Sequence, residues 1–295
     1  QQLKHISHVL HLNQNVIFLS CSGTQIAWFI FFKAKFALYQ FQLMKSHIRT
    51  LNNYQPIVLC LSVDVSGVVM MDKTTTGVWL LHSTPRFPFL RDQNKFWPDS
   101  GAKNAQTFIC VTFKYDEFQQ IGNVITFTFD DHIPADFHEN LQKLRGDDNN
   151  NRPQRDNEVS TQDLTSEGGT SFCSFAKKRC KDLYSHIVAT YKTDVRVQTW
   201  GGQSGRDGDY CEDKQRQVIN IDSLKTDLGT WNAGNDHSKW CVSTESKNHL
   251  ICIADMNRSD SQYERPGGAL CFEHKKASQL FKGVRLCESD CDSDK

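Results

Sequence analysis

Eleven cysteines are the strongest constraint on what this 295-residue chain can fold into. They run from Cys21 to Cys291, and no two of them form the CxxC pair expected of a zinc site. That usage fits a chain stapled by disulfides in an oxidising compartment. The odd number leaves at least one thiol free or pairing between chains. A secreted, extracellular location is inferred from the cysteines alone. Residues 1–20 lack a basic start followed by about 7–15 apolar residues, so they read as an extension ahead of Cys21. The sequon Asn257-Arg258-Ser259 would permit N-glycosylation.

Hydrophobic residues make up 38% of the chain and charged ones 23%, enough apolar material for one large core or two moderate ones. No apolar run reaches the ~18–20 residues that span a bilayer, so no membrane insertion is expected. Lys33 and Lys35 interrupt the longest candidate, Ile26 to Leu38, and its aromatics Trp28, Phe29, Phe31 and Phe32 read as core. The 34 basic and 34 acidic side chains cancel, which argues against tight duplex binding at neutral pH. The 11 histidines would add positive charge near about pH 5.

Apolar runs at Gly67 to Met71 and Gly77 to His82 flank a polar turn and predict a hairpin. Thr107 to Phe113 and Val124 to Phe129 are strand-like. Trp240 to Ser243 and Leu250 to Ala254 form another apolar pair across a polar turn. Ser171 to Tyr191 has helical spacing, with Phe172, Phe175, Leu183, Ile187 and Val188 near one face. Residues 146–169 are polar and Asn-Asp-rich, the pattern of a flexible surface loop. Gly201 to Asp213 is glycine-rich without a P-loop lysine, and it too reads as a flexible loop. His5, His8 and His11 have a spacing that could present a metal on a helix, though a frayed terminus is the expected reading and no cofactor is called for. No Gly-x-Ser-x-Gly elbow is present.

Several ordered segments carry a resemblance. They are Asp236-His237-Ser238-Lys239-Trp240-Cys241-Val242-Ser243, Cys252 to Arg258, Gly267-Gly268-Ala269-Leu270-Cys271 and Gly77 to Pro88. Gln106 to Phe113, Ser174 to Lys177, Asp182 to Ser185 and Ala27-Trp28-Phe29 join them. Together these residues, from 21 to 291, resemble the deoxyribonuclease II family of the phospholipase D superfamily. Within that family the chain looks most like secreted DNase II-like proteins of parasitic nematodes.

The resemblance implies disulfides between Cys21 and Cys110, between Cys252 and Cys271, and between Cys211 and Cys291 or Cys287. Cys241 matches a family cysteine that stays unpaired. Cys173 and Cys180 are close enough to bridge locally, and the pairing of Cys60, Cys173, Cys180 and Cys287 stays open.

Metal-free phosphodiester hydrolysis needs a nucleophile for phosphorus, an acid for the leaving oxygen and cations for the charge that develops. The resemblance implies that two His-x-Lys pairs supply them. One histidine forms a phosphohistidine and the other serves as general acid. His237 and Lys239 keep the second pair, with Asp255 and Asn257 orienting it and His82 lining it. At the first pair Asp64 stands in place of histidine and Ser66 in place of lysine, while the trailing Asp72 survives. A carboxyl with a reference pKa of about 3.9 cannot replace imidazole, and serine brings no charge to the phosphate. His47 is the one histidine in the interval from Trp28 to Gly67.

The resemblance implies an α/β fold, phospholipase D-like, with two pseudo-twofold-related α/β halves whose mixed sheets flank a central cleft. The expected divisions are an N-terminal extension (1–20), a first half (21–145), a flexible polar loop (146–169), a second half (170–291) and an acidic tail (292–295). Function is expected to be binding of DNA or another elongated extracellular macromolecule by a catalytically inactive relative. The alternative is a working acid endonuclease, and a surface or antigenic role is a third reading.

Overall fold

The computed structural model describes residues 75–85, 104–121, 159–177, 182–209, 217–225 and 229–283 in full. The backbone of the remaining strand and helix residues named below is also described.

Two sheets and a few helices make an α/β fold. The first sheet contains β1 (Val16–Leu19), β2 (Ala27–Phe31), β3 (Gln55–Ile57), β4 (Gly67–Met71), β5 (Thr76–His82) and β6 (Gln106–Lys114). Its order is β1-β2-β6-β5-β4-β3, and every pairing is antiparallel. The expected hairpin is β4 and β5, with Val69 opposite Trp79.

The second sheet contains β7 (Ser160–Thr165), β8 (Ser171–Lys177), β9 (Val195–Gln198), β10 (Tyr210–Glu212), β11 (Arg216–Thr226), β12 (Gly229–Asn232), β13 (Trp240–Ser243), β14 (Leu250–Ala254), β15 (Gly267–Glu273) and β16 (Arg285–Glu288). The order is β10-β11-β9-β13-β14-β15-β8-β7, with β12 and β16 also on β11. Because β9 and β11 run parallel while the other pairs are antiparallel, the sheet is mixed. Helices α1 (Glu117–Ile125), α2 (Leu183–Tyr191), α3 (Asp260–Tyr263) and α4 (Lys275–Gly283), with a 3-10 turn at Ala233–Asn235, complete the described elements.

Side-chain alternation along the strands decides which face each residue joins. Trp79, Leu81, Ile109, Val111 and Phe113 of the first sheet meet Trp240, Val242, Ile251, Ile253, Leu270 and Phe272 of the second in one core. Phe118 and Ile121 of α1 and Phe281 of α4 close that layer, with Phe281 edge-on to Trp240. The intervening residues of the second sheet, among them Cys241, Cys252, Ala254 and Cys271, face a second core under α2. Asp182 starts α2 by accepting a hydrogen bond from Tyr184 N, and Leu183, Tyr184, Ile187 and Val188 are its buried face. Backbone bonds join the sheets directly, from Ala105 N to Asn235 O and from Glu167 N to Thr112 O.

Several expectations are corrected. Of the stretch given helical spacing, Ser171–Lys177 is strand β8 and Leu183–Tyr191 is helix, while residues 178–181 lie outside the described ones. Phe172 and Phe175 lie in opposite cores, as alternation requires. Val124 and Ile125 close helix α1, and residues 126–129 of the expected strand lie outside the described ones. Inside the polar stretch 146–169, Ser160–Thr165 is β7, an edge strand whose partner β8 supplies most of the apolar surface. The glycine-rich segment after Trp200 is tied down: Gly201 N donates to Ala233 O, and Asp207 N to Arg258 O.

Cys252 and Cys271 form a disulfide between neighbouring strands. Cys110 carries a free thiol, so the expected bond to Cys21 is not formed. Cys173 is free as well, so it makes no local bridge to Cys180. In register, Cys241, Cys252, Cys271 and Cys173 lie side by side across β13, β14, β15 and β8. That row places Cys173 on the opposite side of Cys271 from the disulfide partner. The side chains of Cys21, Cys60, Cys180, Cys211, Cys287 and Cys291 lie outside the described residues, as do those of Trp28, Phe29, Phe31, Phe32, His5, His8, His11 and His47.

Candidate functional site

The segment from Asp236 to Lys239 runs between the ends of the two sheets. Its backbone is docked on the first strand of the interface: His237 N donates to Ala105 O, and Ala105 pairs with Asp236 as an isolated bridge. Lys239 N donates to Thr107 Oγ1 at 3.2 Å. Asp236 is fully buried and holds the turn, accepting from Ser238 N at 2.8 Å and from Trp231 Nε1 at 2.9 Å. Burial pushes the Asp236 carboxyl above its usual range against the pull of those donors.

His237 is half-buried between Trp200 and Asn104. The Trp200 and His237 rings have centroids 4.6 Å apart, and Asn104 Nδ2 stands 3.2 Å from His237 Nε2. Burial, helped by the Lys239 charge, lowers the imidazole to about 4, so it is neutral at neutral pH. Lys239 Nζ donates to His237 O at 2.9 Å, and burial lowers this ammonium to about 8 while Asp255 and Asp236 oppose the shift.

Asp255 follows β14 and is 3% exposed. Its Oδ1 accepts from Gly268 N at 2.8 Å, and burial lifts the carboxyl to about 7. Lys239 and Asp255 are therefore electrostatic partners that both pay for desolvation. Protonation of Asp255 removes one of the two carboxylates that offset the Lys239 cation, the other being Asp236.

Asn257 acts one step away. Its Oδ1 accepts from Trp200 N at 3.1 Å and its Nδ2 donates to Gln203 Oε1, which sets the tryptophan against His237. Asn257 is 7% exposed, Arg258 1% and Ser259 fully buried.

His82 is not brought to this group. Its ring stacks on Phe108, centroids 5.6 Å apart, while alternation puts the neighbouring Leu81 in the core between the sheets. His82 therefore lies on the opposite face of the first sheet. Asp64, Ser66 and Asp72 lie outside the described residues. Among the described residues no group of three or more His, Cys, Asp or Glu side chains could hold a metal ion. Among them, too, no helix is long and apolar enough to cross a membrane.

Asn104, Trp200, Thr107 and the buried Ser83–Gln106 pair, in which Ser83 Oγ donates to Gln106 Oε1 at 2.8 Å, carry no charge or motif that marks them in the sequence. Trp200 had the one available signal, an aromatic at the mouth of a glycine-rich loop.

A model of the family Deoxyribonuclease II matches residues 65–291, beginning between Asp64 and Ser66. Plancitoxin-1 of Acanthaster planci is 32% identical over 73% of this chain and 62% of its own length. Deoxyribonuclease-2-alpha of Rattus norvegicus is 32% identical over 75% of this chain and 66% of its own. Deoxyribonuclease-2 of Caenorhabditis elegans is 34% identical over 75% of this chain and 59% of its own. The chain thus spans roughly three fifths to two thirds of the length of these curated relatives. It belongs to the deoxyribonuclease II family.

Proposed function

We propose that this chain is an exported member of the family that holds a DNA phosphodiester at a single His–Lys half-site without hydrolysing it efficiently. The observation that carries the reading is what faces His237 Nε2: the amide of Asn104, with His82 turned to the far face of its sheet. Hydrolysis by two imidazoles needs one to attack phosphorus while the other protonates the leaving oxygen. Asp64 and Ser66 in the degraded first motif supply neither imidazole nor cation. Loss of members of one catalytic unit costs several orders of magnitude in rate. Two halves related by a pseudo-twofold axis around a central cleft would give the site room for a duplex. Export rests on the eleven cysteines and the disulfide between Cys252 and Cys271.

The binding half of the reading has its own chemistry. Lys239 supplies the cation, and protonation of Asp255 below about 7 removes one of the two carboxylate charges that compete for it. Affinity for DNA is therefore expected to rise with acidity and to fall steeply with salt, since phosphate contacts release counterions.

A second reading, a working acid endonuclease, is favoured by the intact His237–Lys239 pair and by the nucleases among the relatives. Supercoiled plasmid incubated with the protein at about pH 5 in chelator, beside His237→Ala, separates the two. Nicking that vanishes in His237→Ala establishes the enzyme. Binding that weakens in His237→Ala and Lys239→Ala, with no nicking, establishes the holder. Absence of both sinks the DNA reading.

A further inference from the structure

An amide nitrogen can only donate a hydrogen bond. Asn104 Nδ2 stands 3.2 Å from His237 Nε2, so that contact is a bond only when Nε2 carries no proton. A neutral imidazole whose Nε2 is bare holds its proton on Nδ1. The other groups around the ring do not compete for this role. Asp236 spends its carboxylate on Ser238 N and Trp231 Nε1, Lys239 Nζ bonds the His237 carbonyl, and Asp255 bonds Gly268 N. Trp200 covers the ring and donates its own N–H to Gly234 O.

We infer that Asn104 is a positioning residue, lent by the first sheet's side of the junction, that locks His237 in the Nδ1–H tautomer by donating to the Nε2 lone pair. Asn104 immediately precedes Ala105, whose carbonyl receives His237 N, so one short segment grips both the backbone and the ring of this histidine. The ring is thus held from two sides, by Asn104 ahead of β6 and by Trp200 after β9. The inference rests on the proposed half-site only in taking His237 as the group that meets the phosphodiester. Its test needs no DNA, so its failure and that of the half-site are read separately.

Nitrogen-15 labelling of the histidine rings, with the His237 signal assigned by its loss in His237→Ala, reports tautomer and titration together. The unaltered protein is expected to show His237 with a bare Nε2 and a protonated Nδ1. Asn104→Ala should shift the ring towards the Nε2–H form that free imidazole prefers. Asn104→Asp offers only acceptors and should both move the proton to Nε2 and raise the midpoint of titration by at least about one pH unit. Asn104→Gln, which keeps the amide, should restore part of the parental signal. Nε2 protonated in the unaltered protein overturns the inference, whatever the variants do. So does a tautomer and titration unchanged in both Asn104→Ala and Asn104→Asp.

Discussion

Arg258 Nε donates to Asp182 Oδ2 at 2.8 Å, which ties the segment after β14 to the first turn of α2. The guanidinium is 1% exposed and also donates to Gly208 O and Asn220 Oδ1. The same aspartate caps α2 through its other oxygen, accepting from Tyr184 N. Removing it strands a buried cation and a helix N–H at once. A stranded partner of a buried pair costs about 3–5 kcal/mol, and a lost cap adds roughly 1 kcal/mol. Asp182→Ala is expected to lose that much stability in urea unfolding, while Asp182→Asn keeps the cap and should fall between. A loss under about 1 kcal/mol in Asp182→Ala would mean that the carbonyl and amide partners suffice for Arg258.

The row of four cysteines makes a distinct prediction. The Cys252–Cys271 bond closes a separation of 19 residues, for which the loss of chain entropy in the unfolded state gives about 3 kcal/mol. Replacing both by serine should lower stability by about that amount, read from denaturant midpoints. The flanking thiols should be inert in the native protein. Burial lifts Cys173 to about 11 and Cys241 higher still, so little thiolate exists at neutral pH. Alkylation followed by mass spectrometry should label both only on unfolding. Rapid labelling of Cys173 in the native state would contradict its placement beneath α2.

Two site groups tilt stability with pH in opposite senses. Asp255 titrates at about 7 in the fold against 3.8 unperturbed. Between those values the folded chain keeps a proton that the unfolded chain has released, so this contribution is present at low pH and is lost as pH rises. His237 titrates at about 4 against 6.5, and there the unfolded chain binds the extra proton, so its contribution grows as pH rises. Lys239, lowered to about 8, leaves the acid range unaffected. Asp255→Asn should therefore make the melting temperature climb more steeply from about pH 4 to 6.5 than in the parent. His237→Ala should instead leave a profile that falls towards pH 7. Identical profiles for parent and Asp255→Asn would show that the carboxyl is not held above its ordinary range.

The charged and imidazole members of the candidate site, which lie in two short segments, were legible in the sequence. His237 and Lys239, with Asp255 and Asn257, carry charge or imidazole at recognisable spacing, and the strands beneath them are apolar runs bounded by polar turns. Asn104, Thr107 and Trp200 were not legible, because neutral side chains from distant segments take their role from where the chain folds back. The same limit explains His82. Its motif placed it correctly at a strand end, but which face it occupies depends on the register between β5 and β6. Periodicity misread Ser171–Lys177 because a strand buried in two cores has apolar residues on both faces, much as a buried helix does.

Gly267 and Gly268, adjacent on β15, form the support beneath Asp255. A Cβ at Gly268 would collide with the Phe175 carbonyl on β8, a backbone atom that cannot move without opening the β15–β8 pairing. At Gly267 the collision is mainly with the Met256 side chain, which can rotate away, although Asp255 Oδ1 also lies close. Overpacking of this kind costs about 1–3 kcal/mol where the backbone must yield. Gly268→Ala should therefore be the more destabilising of the two changes. It should also displace the Gly268 N–H from Asp255 Oδ1, a bond that favours the charged carboxylate, and so move the Asp255 titration further upward. Unfolding midpoints measured across pH would reveal both effects together. Equal stability for the two variants, with the pH profile of the parent, would show that β15 can slide from β8 without disturbing the site.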